Sequence, residues 1–207
     1  MTLQASLQAG DYLIVPVTPQ LKAIAALTIL APFVPLLFQG EEWGAQTPFL
    51  YFTDHEEPEL GRLVAEGRSR EFSAFHRQGA VPDPQEAATF ARSKLNWSEP
   101  CLPCHAELLR WYREIIRLRR DKVVMSRASP AAANEAEASK AETAFDAEAG
   151  WLTFVHNGVL AVFNLGDAAQ SVPRPRGDWR LVLRSDSNEV QTSNAMPPRS
   201  THIYIGG

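Results

Sequence analysis

The first part of the chain pairs an almost wholly apolar segment with a short apolar run. Residues 21–30 are apolar at nearly every position, which is typical of a helix buried on most sides, and Pro32 should end that helix. Residues 34–38 then predict a short buried strand that ends at Gln39-Gly40. Because Pro35 cannot donate a ladder hydrogen bond, only a few residues of this strand should pair within a sheet.

Helical periodicity returns twice. Pro58 suits the first turn of a helix whose apolar positions approximate one face, although Gly61 and Gly67 each cost about 1 kcal/mol relative to Ala, so that this helix needs tertiary support. Residues 105–122 form the clearest predicted helix. Apolar residues recur there at helical spacing, and basic residues crowd the C-terminal end, where cations favour the helix dipole.

The pattern changes to a period of two from Trp151 onward. Asn157-Gly158 separates two alternating runs and supplies the two positive φ angles of a type I′ turn, which predicts a β-hairpin. Residues 179–183 and 201–205 add further strands, so a small antiparallel module is expected from about residue 123 onward. Residues 126–150 are rich in Ala and Glu, and their interpretation is open between a loop, a linker and a weak helix.

Composition narrows the class of protein. With 207 residues, of which 45% are apolar, the chain can hold one ordinary domain or two small ones. The net charge is −4 and no basic cluster is present, so nucleic acid is not an expected partner. The longest apolar stretch falls short of the ~20 residues that span a bilayer. No membrane segment or signal peptide is expected, and a cytoplasmic location with reduced cysteines follows as a prediction.

Two adjacent carboxylates, Glu41 and Glu42, follow the predicted buried strand, where barrel enzymes gather their catalytic residues. Retaining glycosidases need two carboxyl groups about 5 Å apart on either side of the scissile bond. Neighbouring residues rarely meet that geometry, because their side chains point apart. The spacing therefore favours a role in capping or orienting the loop over catalysis.

A second motif, Cys101-Leu102-Pro103-Cys104-His105, formally matches the attachment sequence of c-type haem. Haem attachment needs export, for which the sequence gives no signal, and His105 opens a clear amphipathic helix. Neither haem nor a zinc or redox pair is favoured, and no cofactor or metal is expected. The tryptophans are interpreted as packing residues: Trp97, Trp111, Trp151 and Trp179.

The segment from Phe38 to Gly44, Phe-Gln-Gly-Glu-Glu-Trp-Gly, and the string Phe-Leu-Tyr-Phe-Thr-Asp-His at residues 49–55 resemble the malto-oligosyltrehalose trehalohydrolases of the α-amylase superfamily. The Gly-Glu-Glu-Trp-Gly element alone also occurs in branching enzymes, whereas the second string is more specific. The resemblance is nearly continuous from Gly10 and includes the Asn-Leu-Gly-Asp turn at residues 164–167.

The resemblance implies an α/β plus β fold. Residues 1–122 would form the terminal part of a (β/α)8 TIM-type barrel, and residues 123–207 a small antiparallel β-sandwich domain. The family hydrolyses the α-1,4 bond next to the terminal trehalose of a maltooligosyltrehalose, and its catalytic carboxylates precede the segment matched by residues 10–13. Nothing in residues 1–9 reproduces them, so no catalytic residue is expected here and the lone chain should be inactive. Expected partners are the α-glucan substrate, and either the missing barrel half or a second copy.

In this resemblance Glu41, Glu42 and Trp43 support the active site, and Asp54 and His55 border its cleft. Three interpretations of Asp54 and His55 are open: they contact a glucose hydroxyl, Asp54 only orients His55, or both side chains are solvated. Tyr51 and Phe52 are candidates for stacking on sugar rings, although aromatics in such runs more often belong to a core. The alternative function is a non-enzymatic carbohydrate-binding or scaffold module.

Overall fold

A computed structural model of the protein describes residues 19–74, 81–124, 141–186 and 195–206. The chain divides into two compact units. The loop unit is Gln39–His105, and the sheet unit combines Val17–Phe38 with Ala106–Gly207. The domain boundary at residue 122 stays a prediction.

The sheet unit contains one five-stranded antiparallel sheet in the order β1-β2-β3-β5-β4 within the described residues. Its strands are β1 Glu142–Asp146, β2 Trp151–His156, β3 Val159–Asn164, β4 Trp179–Arg184 and β5 Ser200–Gly206. The predicted hairpin between β2 and β3 is confirmed, because Asn157 and Gly158 have φ angles of 48° and 72°. The small antiparallel β-domain is confirmed with it.

Two helices contribute to the core of the sheet unit. Helix α1 spans Pro19–Leu30, and α4 spans Pro103–Leu118 before a π-helical turn at Arg119–Val124. Both helices were predicted from their apolar patterns. Side chains of α1 and of the part of α4 in this unit pack with the inward residues of the sheet, including Ile29, Leu108, Ile115, Phe154, Phe163 and Ile203.

The side chain of Arg119 caps the C-terminal end of α1, which the apolar pattern of the sequence does not predict. Helix α1 has no basic residue in its last turn. The Arg119 guanidinium supplies the charge instead, since it donates hydrogen bonds to the carbonyl oxygens of Ile29, Ala31 and Phe33, the last two at 2.7 Å. A cation at the carbonyl end of a helix satisfies orphan acceptors and favours the dipole.

Asn164 holds the turn that follows β3. Its Nδ2 lies 2.9 Å from the carbonyl oxygen of Ala168, 3.0 Å from that of Met196 and 2.8 Å from that of Pro197. Its Oδ1 accepts from the Gly166 amide at 3.1 Å and from Gln170 Nε2 at 2.7 Å. This fully buried amide therefore joins backbone segments that are far apart in sequence.

The buried strand predicted at residues 34–38 is wrong for the described residues. Val34 and Leu36 are each 91% exposed, and no described strand pairs with this extended segment. An apolar run forms a strand only where another backbone offers its hydrogen-bonding groups. The described part of the chain offers none here, so Val34 and Leu36 face solvent, whereas Leu37 packs against the core of the sheet unit.

The Ala- and Glu-rich stretch holds a strand that the sequence interpretation missed. Residues 142–146 form β1 and pair with β2, with Thr143 opposite Phe154. All five residues of β1 are exposed, so the strand depends on pairing with its neighbour rather than on burial. The rest of the predicted loop, linker or helix up to residue 140 lies outside the described residues.

The described residues of the loop unit include helix α2 at Pro58–Ala74 and helix α3 at Ala87–Arg92, with 3₁₀ turns at Glu41–Trp43 and Glu99–Cys101. Helix α2 begins at Pro58 as predicted, but Leu60 and Leu63 of its expected apolar face are exposed. Among the described helices, none has the length and apolar character needed to cross a membrane.

Candidate functional site

Two glycines shape the turn that carries the predicted supporting residues. Gly40 and Gly44 flank Glu41–Trp43 with φ angles of 84° and 68°. A Cβ atom at position 40 would lie 2.7 Å from Ala45 Cβ and 2.9 Å from Leu95 Cδ2, so only glycine fits. The turn buries Trp43 and leaves Glu41 exposed.

Trp43 is anchored on three sides. Its indole Nε1 donates to Glu99 Oε2 at 3.3 Å, and that oxygen also accepts from the Gln46 amide at 3.3 Å. The Trp43 carbonyl accepts from His105 Nδ1 at 2.6 Å. The Trp43 ring lies 5.3 Å from that of Trp97. Because Glu99 is buried, removing it would leave both donors unsatisfied.

Leu50 and Phe52 are held by the segment that contains α3. The Ser93 hydroxyl accepts from the Leu50 amide at 3.0 Å and contacts the Thr89 carbonyl oxygen at 3.0 Å. Phe52 packs edge-on against Phe90, with ring centroids 5.0 Å apart, and lies 5.8 Å from the ring of Phe49 in the same way. Phe52 is therefore part of a three-ring cluster.

Gln85 clamps the backbone on both sides of Asp54. Its Oε1 accepts from Thr53 Oγ1 at 2.6 Å and from the His55 amide at 3.2 Å, and its Nε2 donates to the His55 carbonyl at 3.2 Å. The Thr53 amide also donates to the Pro84 carbonyl at 2.8 Å. Gln85 also lies close to Gly61 of α2. A Cβ atom at position 61 would be 2.7 Å from Gln85 Nε2, so a side chain there would displace the Gln85 amide.

Asp54 and His55 differ in their surroundings. The Asp54 side chain is exposed and has no hydrogen bond or ion pair among the described residues. His55 Nε2 is buried and has no hydrogen-bond partner in the same part of the chain. The fixed backbone thus presents the carboxylate of Asp54 outward without using it internally. A hydrogen bond by which Asp54 would orient His55 is absent from the described residues.

Tyr51 presents one face of its ring to a cation. The guanidinium carbon of Arg68 lies 4.1 Å from the ring centroid, within the range of a cation–π interaction. The other predicted aromatic, Phe52, belongs to the cluster with Phe49 and Phe90. The ring of Tyr51 remains partly exposed.

These contacts form one pattern. We call residues 39–55 the site loop and residues 83–99 the bracing segment. Contacts run in opposite directions along the two: Trp43 meets Glu99, Leu50 meets Ser93, Phe52 meets Phe90, and His55 meets Gln85. The site loop is therefore supported along its length by a second irregular segment.

Sequence reasoning missed the residues that do this bracing. Gln85, Ser93 and Glu99 lie in sequence without hydrophobic periodicity, and the family resemblance, although it extends through this segment, implied no role for any of them. Trp97 was interpreted as a packing residue, but it is 73% exposed and makes its ring contact with Trp43. Trp111, by contrast, is buried in the core of the sheet unit as expected.

The side chains of the C-x-x-C-H motif are not arranged as metal ligands in the structure. Cys101 and Cys104 are free and exposed, and His105 uses Nδ1 to bind the Trp43 carbonyl. Over the described ranges, no group of three His, Cys, Asp or Glu residues is placed to hold a metal ion. The roles of Glu41, Glu42 and Asp54 in a reaction stay predictions.

No family model matches the chain. Two curated relatives are informative. A malto-oligosyltrehalose trehalohydrolase of Rhizobium sp. (strain M-11) is 46% identical over 186 residues, which cover 86% of this chain and 29% of the relative. That of Arthrobacter ramosus is 54% identical over 117 residues, which cover 56% of this chain and 20% of the relative. The chain thus spans less than a third of the length of these relatives.

A solved structure confirms the fold class. The crystal structure of a Salmonella typhimurium protein assigned to the α-amylases superposes with a TM-score of 0.75 at 29% sequence identity, covering 98% of this chain and 33% of that one. The superposed region is the C-terminal part of a TIM-barrel enzyme with its small β-domain. Together with the sequence identities, this likeness shows that the chain belongs to the malto-oligosyltrehalose trehalohydrolase family and corresponds to the C-terminal portion of its members.

Proposed function

We propose that this chain supplies the C-terminal portion of an enzyme that hydrolyses the α-1,4 bond next to the terminal trehalose of a maltooligosyltrehalose and releases trehalose. The observation that supports this most is the site loop, whose backbone is fixed on both sides of an exposed Asp54 without consuming its carboxylate. A loop held in this way costs little ordering entropy when a ligand binds.

Each residue of the site loop has a proposed role. Asp54 hydrogen-bonds glucose hydroxyls through its exposed carboxylate, and His55 contacts the sugar beside it. Tyr51 and Phe52 offer ring surface to the sugar. Glu41, Glu42 and Trp43 support the loop through the turn between Gly40 and Gly44, and the two catalytic carboxylates that a glycosidase needs come from outside this set.

The proposed partner is the remaining barrel portion that the relatives possess. The extended residues 33–38 support this proposal, because Phe33, Val34 and Leu36 are exposed and the backbone at 34–38 pairs with no described strand. Exposed apolar side chains on an unpaired strand invite pairing with another strand or association between copies. We place the assembled enzyme in the cytoplasm.

Complementation tests this function. The chain is joined to the N-terminal barrel portion of the Rhizobium relative, and trehalose release from maltotriosyltrehalose is measured for the lone chain, the lone barrel portion and the joined protein. We expect release only from the joined protein, since glycosidic bonds break very slowly without paired carboxylates. A folded joined protein without activity would overturn the proposal and favour a non-enzymatic carbohydrate-binding role.

A further inference from the structure

A second polar site lies in the sheet unit, where residues of α1, α4 and β4 together with Asp186 line an open cavity of about 540 Å³. Its volume falls within the roughly 300–1,000 Å³ typical of small-molecule sites. Six of its ten lining residues are charged: Lys22, Glu107, Arg110, Glu114, Arg184 and Asp186. None of the residues assigned to the site loop lines it.

The charged groups of the inner wall are held by ion pairs and hydrogen bonds. Lys22 is buried, and its Nζ donates to Glu107 Oε1 at 2.5 Å and to the Ser185 carbonyl at 3.0 Å. The Trp111 indole donates to the Lys22 carbonyl at 2.9 Å. Arg184 is paired with Asp186. These side chains are fixed before any ligand arrives, which lowers the entropic cost of binding.

The outer wall carries two charged groups that the fold does not use. Arg110 and Glu114 are exposed on α4, four residues apart and hence on one face. Neither makes a hydrogen bond or ion pair with any described residue. They offer guanidinium donors and carboxylate acceptors at the entrance of the cavity.

The chemistry of the lining selects a neutral polyhydroxyl ligand. The three cations Lys22, Arg110 and Arg184 balance the three carboxylates Glu107, Glu114 and Asp186, so neither an anion nor a cation is favoured. A hydroxyl group both donates and accepts, and it can use guanidinium and carboxylate side by side. Leu181, Val182 and Leu183 add apolar surface for the C–H face of a ring.

A β-bulge lies at this wall. The register between β4 and β5 shifts between Leu181 and Leu183. Bulges re-aim side chains and are frequent beside binding sites. Because β4 is an edge strand, an extended peptide added to that edge is the competing occupant. The predominance of charged over apolar lining residues favours the sugar, since a peptide strand needs apolar pockets for alternate side chains.

We propose that this cavity is a non-catalytic binding site for a neutral oligosaccharide, with Arg110 and Glu114 hydrogen-bonding its hydroxyl groups. That the oligosaccharide is an α-1,4-glucan rests on the proposed function. The site would hold a glucan chain on the sheet unit, away from the residues of the site loop.

Binding of maltopentaose to the 207-residue chain, measured by titration calorimetry, tests the site. We expect the double variant Arg110→Ala/Glu114→Gln to bind about tenfold more weakly or worse, because it removes charge-assisted hydrogen bonds. The matched control is Arg113→Ala, an exposed arginine on the same helix that does not line the cavity. Its affinity should equal that of the unaltered chain.

Equal affinity of the double variant and the unaltered chain, or no binding of maltopentaose at all, would overturn the site. So would competition by inorganic phosphate or by an extended peptide. The measurement requires no hydrolysis, which separates it from the proposed function. If the joined protein released no trehalose but maltopentaose still bound at Arg110 and Glu114, the proposed function would be wrong and the proposed binding site would stand. If the joined protein released trehalose but maltopentaose did not bind there, the binding site would be wrong and the function would stand.

Discussion

The two units of the chain are stabilised by different means. The sheet unit buries a continuous apolar cluster in which Phe154 and Phe163 stack with centroids 6.0 Å apart. The loop unit depends on polar side chains that bind backbone groups 30 to 53 residues away, as Gln85 and Glu99 do. The difference shows where hydrophobic patterning determines structure and where single hydrogen-bonding residues determine it.

The two kinds of stabilisation also differ in how much a change of residue costs the fold. Burial of a large apolar side chain contributes several kcal/mol, whereas one hydrogen bond contributes about 0.5–1.5 kcal/mol net. A region held mainly by hydrogen bonds can be reshaped at small cost to the fold, and binding loops are commonly of this kind. The candidate site accordingly lies in the loop unit.

The largest expected effect is in the sheet unit. Phe163→Ala removes a 1% exposed ring from the central strand and should lower the free energy of unfolding by about 3–5 kcal/mol, because a cavity is left in the core. Urea denaturation followed by circular dichroism measures it. Phe145→Ala, at a 70% exposed position of β1, is the control and should change stability by less than about 0.5 kcal/mol. Equal effects would contradict the assigned core.

A smaller effect is expected for Gln85→Ala in the loop unit. The change leaves Thr53 Oγ1 and both backbone groups of His55 without their partner, at a cost of about 1–3 kcal/mol. Hydrogen exchange should show faster exchange of the His55 amide, while the amides of β3 stay protected. Glu86→Ala, an exposed neighbour whose side chain makes no capping bond, should change neither. Unchanged exchange at His55 would show that Gln85 does not brace the loop.

The decline in stability between pH 7 and pH 5 should come mainly from His202 of the sheet unit. Burial lowers the pKa of His202 despite the opposing pull of Asp186, 3.0 Å away. The unfolded state therefore binds a proton more readily than the folded state, so stability contributed by neutral His202 is present above about pH 6.5 and is lost as the pH falls below it. His202→Gln should flatten the decline in the unfolding free energy between pH 7 and pH 5. An identical decline in the variant would rule out His202 as its source.

Asp186 adds a second loss at lower pH. Burial raises the pKa of its carboxyl, but the bonds from Arg184 and His202 outweigh burial and hold the pKa below its usual value. The stability that the ionised Asp186 carboxylate contributes is present above the pKa of this group in the unfolded state. That stability is lost as the pH falls through its pKa in the folded state.

The smallest effect is expected at the cysteine pair. Cys101→Ser with Cys104→Ser should leave the free energy of unfolding within about 0.5 kcal/mol, because both side chains are exposed and free. A covalently bound haem, detected as a Soret band that survives acid acetone, would contradict this expectation.

The sequence correctly predicted those elements that depend only on neighbouring residues in the chain. Asn157-Gly158 specifies its turn through two φ angles, and the apolar pattern of α1 specifies a buried helix without reference to any partner. The strand β1 and the unpaired residues 34–38 could not be predicted in this way, because pairing depends on whether a second strand is available. The bracing by Gln85 and Glu99 could not be predicted either, since each residue binds groups at least 30 positions away.

Steady-state kinetics of the joined protein test the central claim, that the site loop binds substrate while catalysis resides in other residues. We expect Asp54→Ala to raise KM for maltotriosyltrehalose about tenfold with kcat within about twofold, because it removes binding shared by ground and transition states. Glu41→Gln and Glu42→Gln should retain turnover. If either glutamine variant abolished trehalose release in a folded protein while Asp54→Ala left KM unchanged, the carboxylates after Gly40 would be catalytic and the assignment of the loop would be wrong.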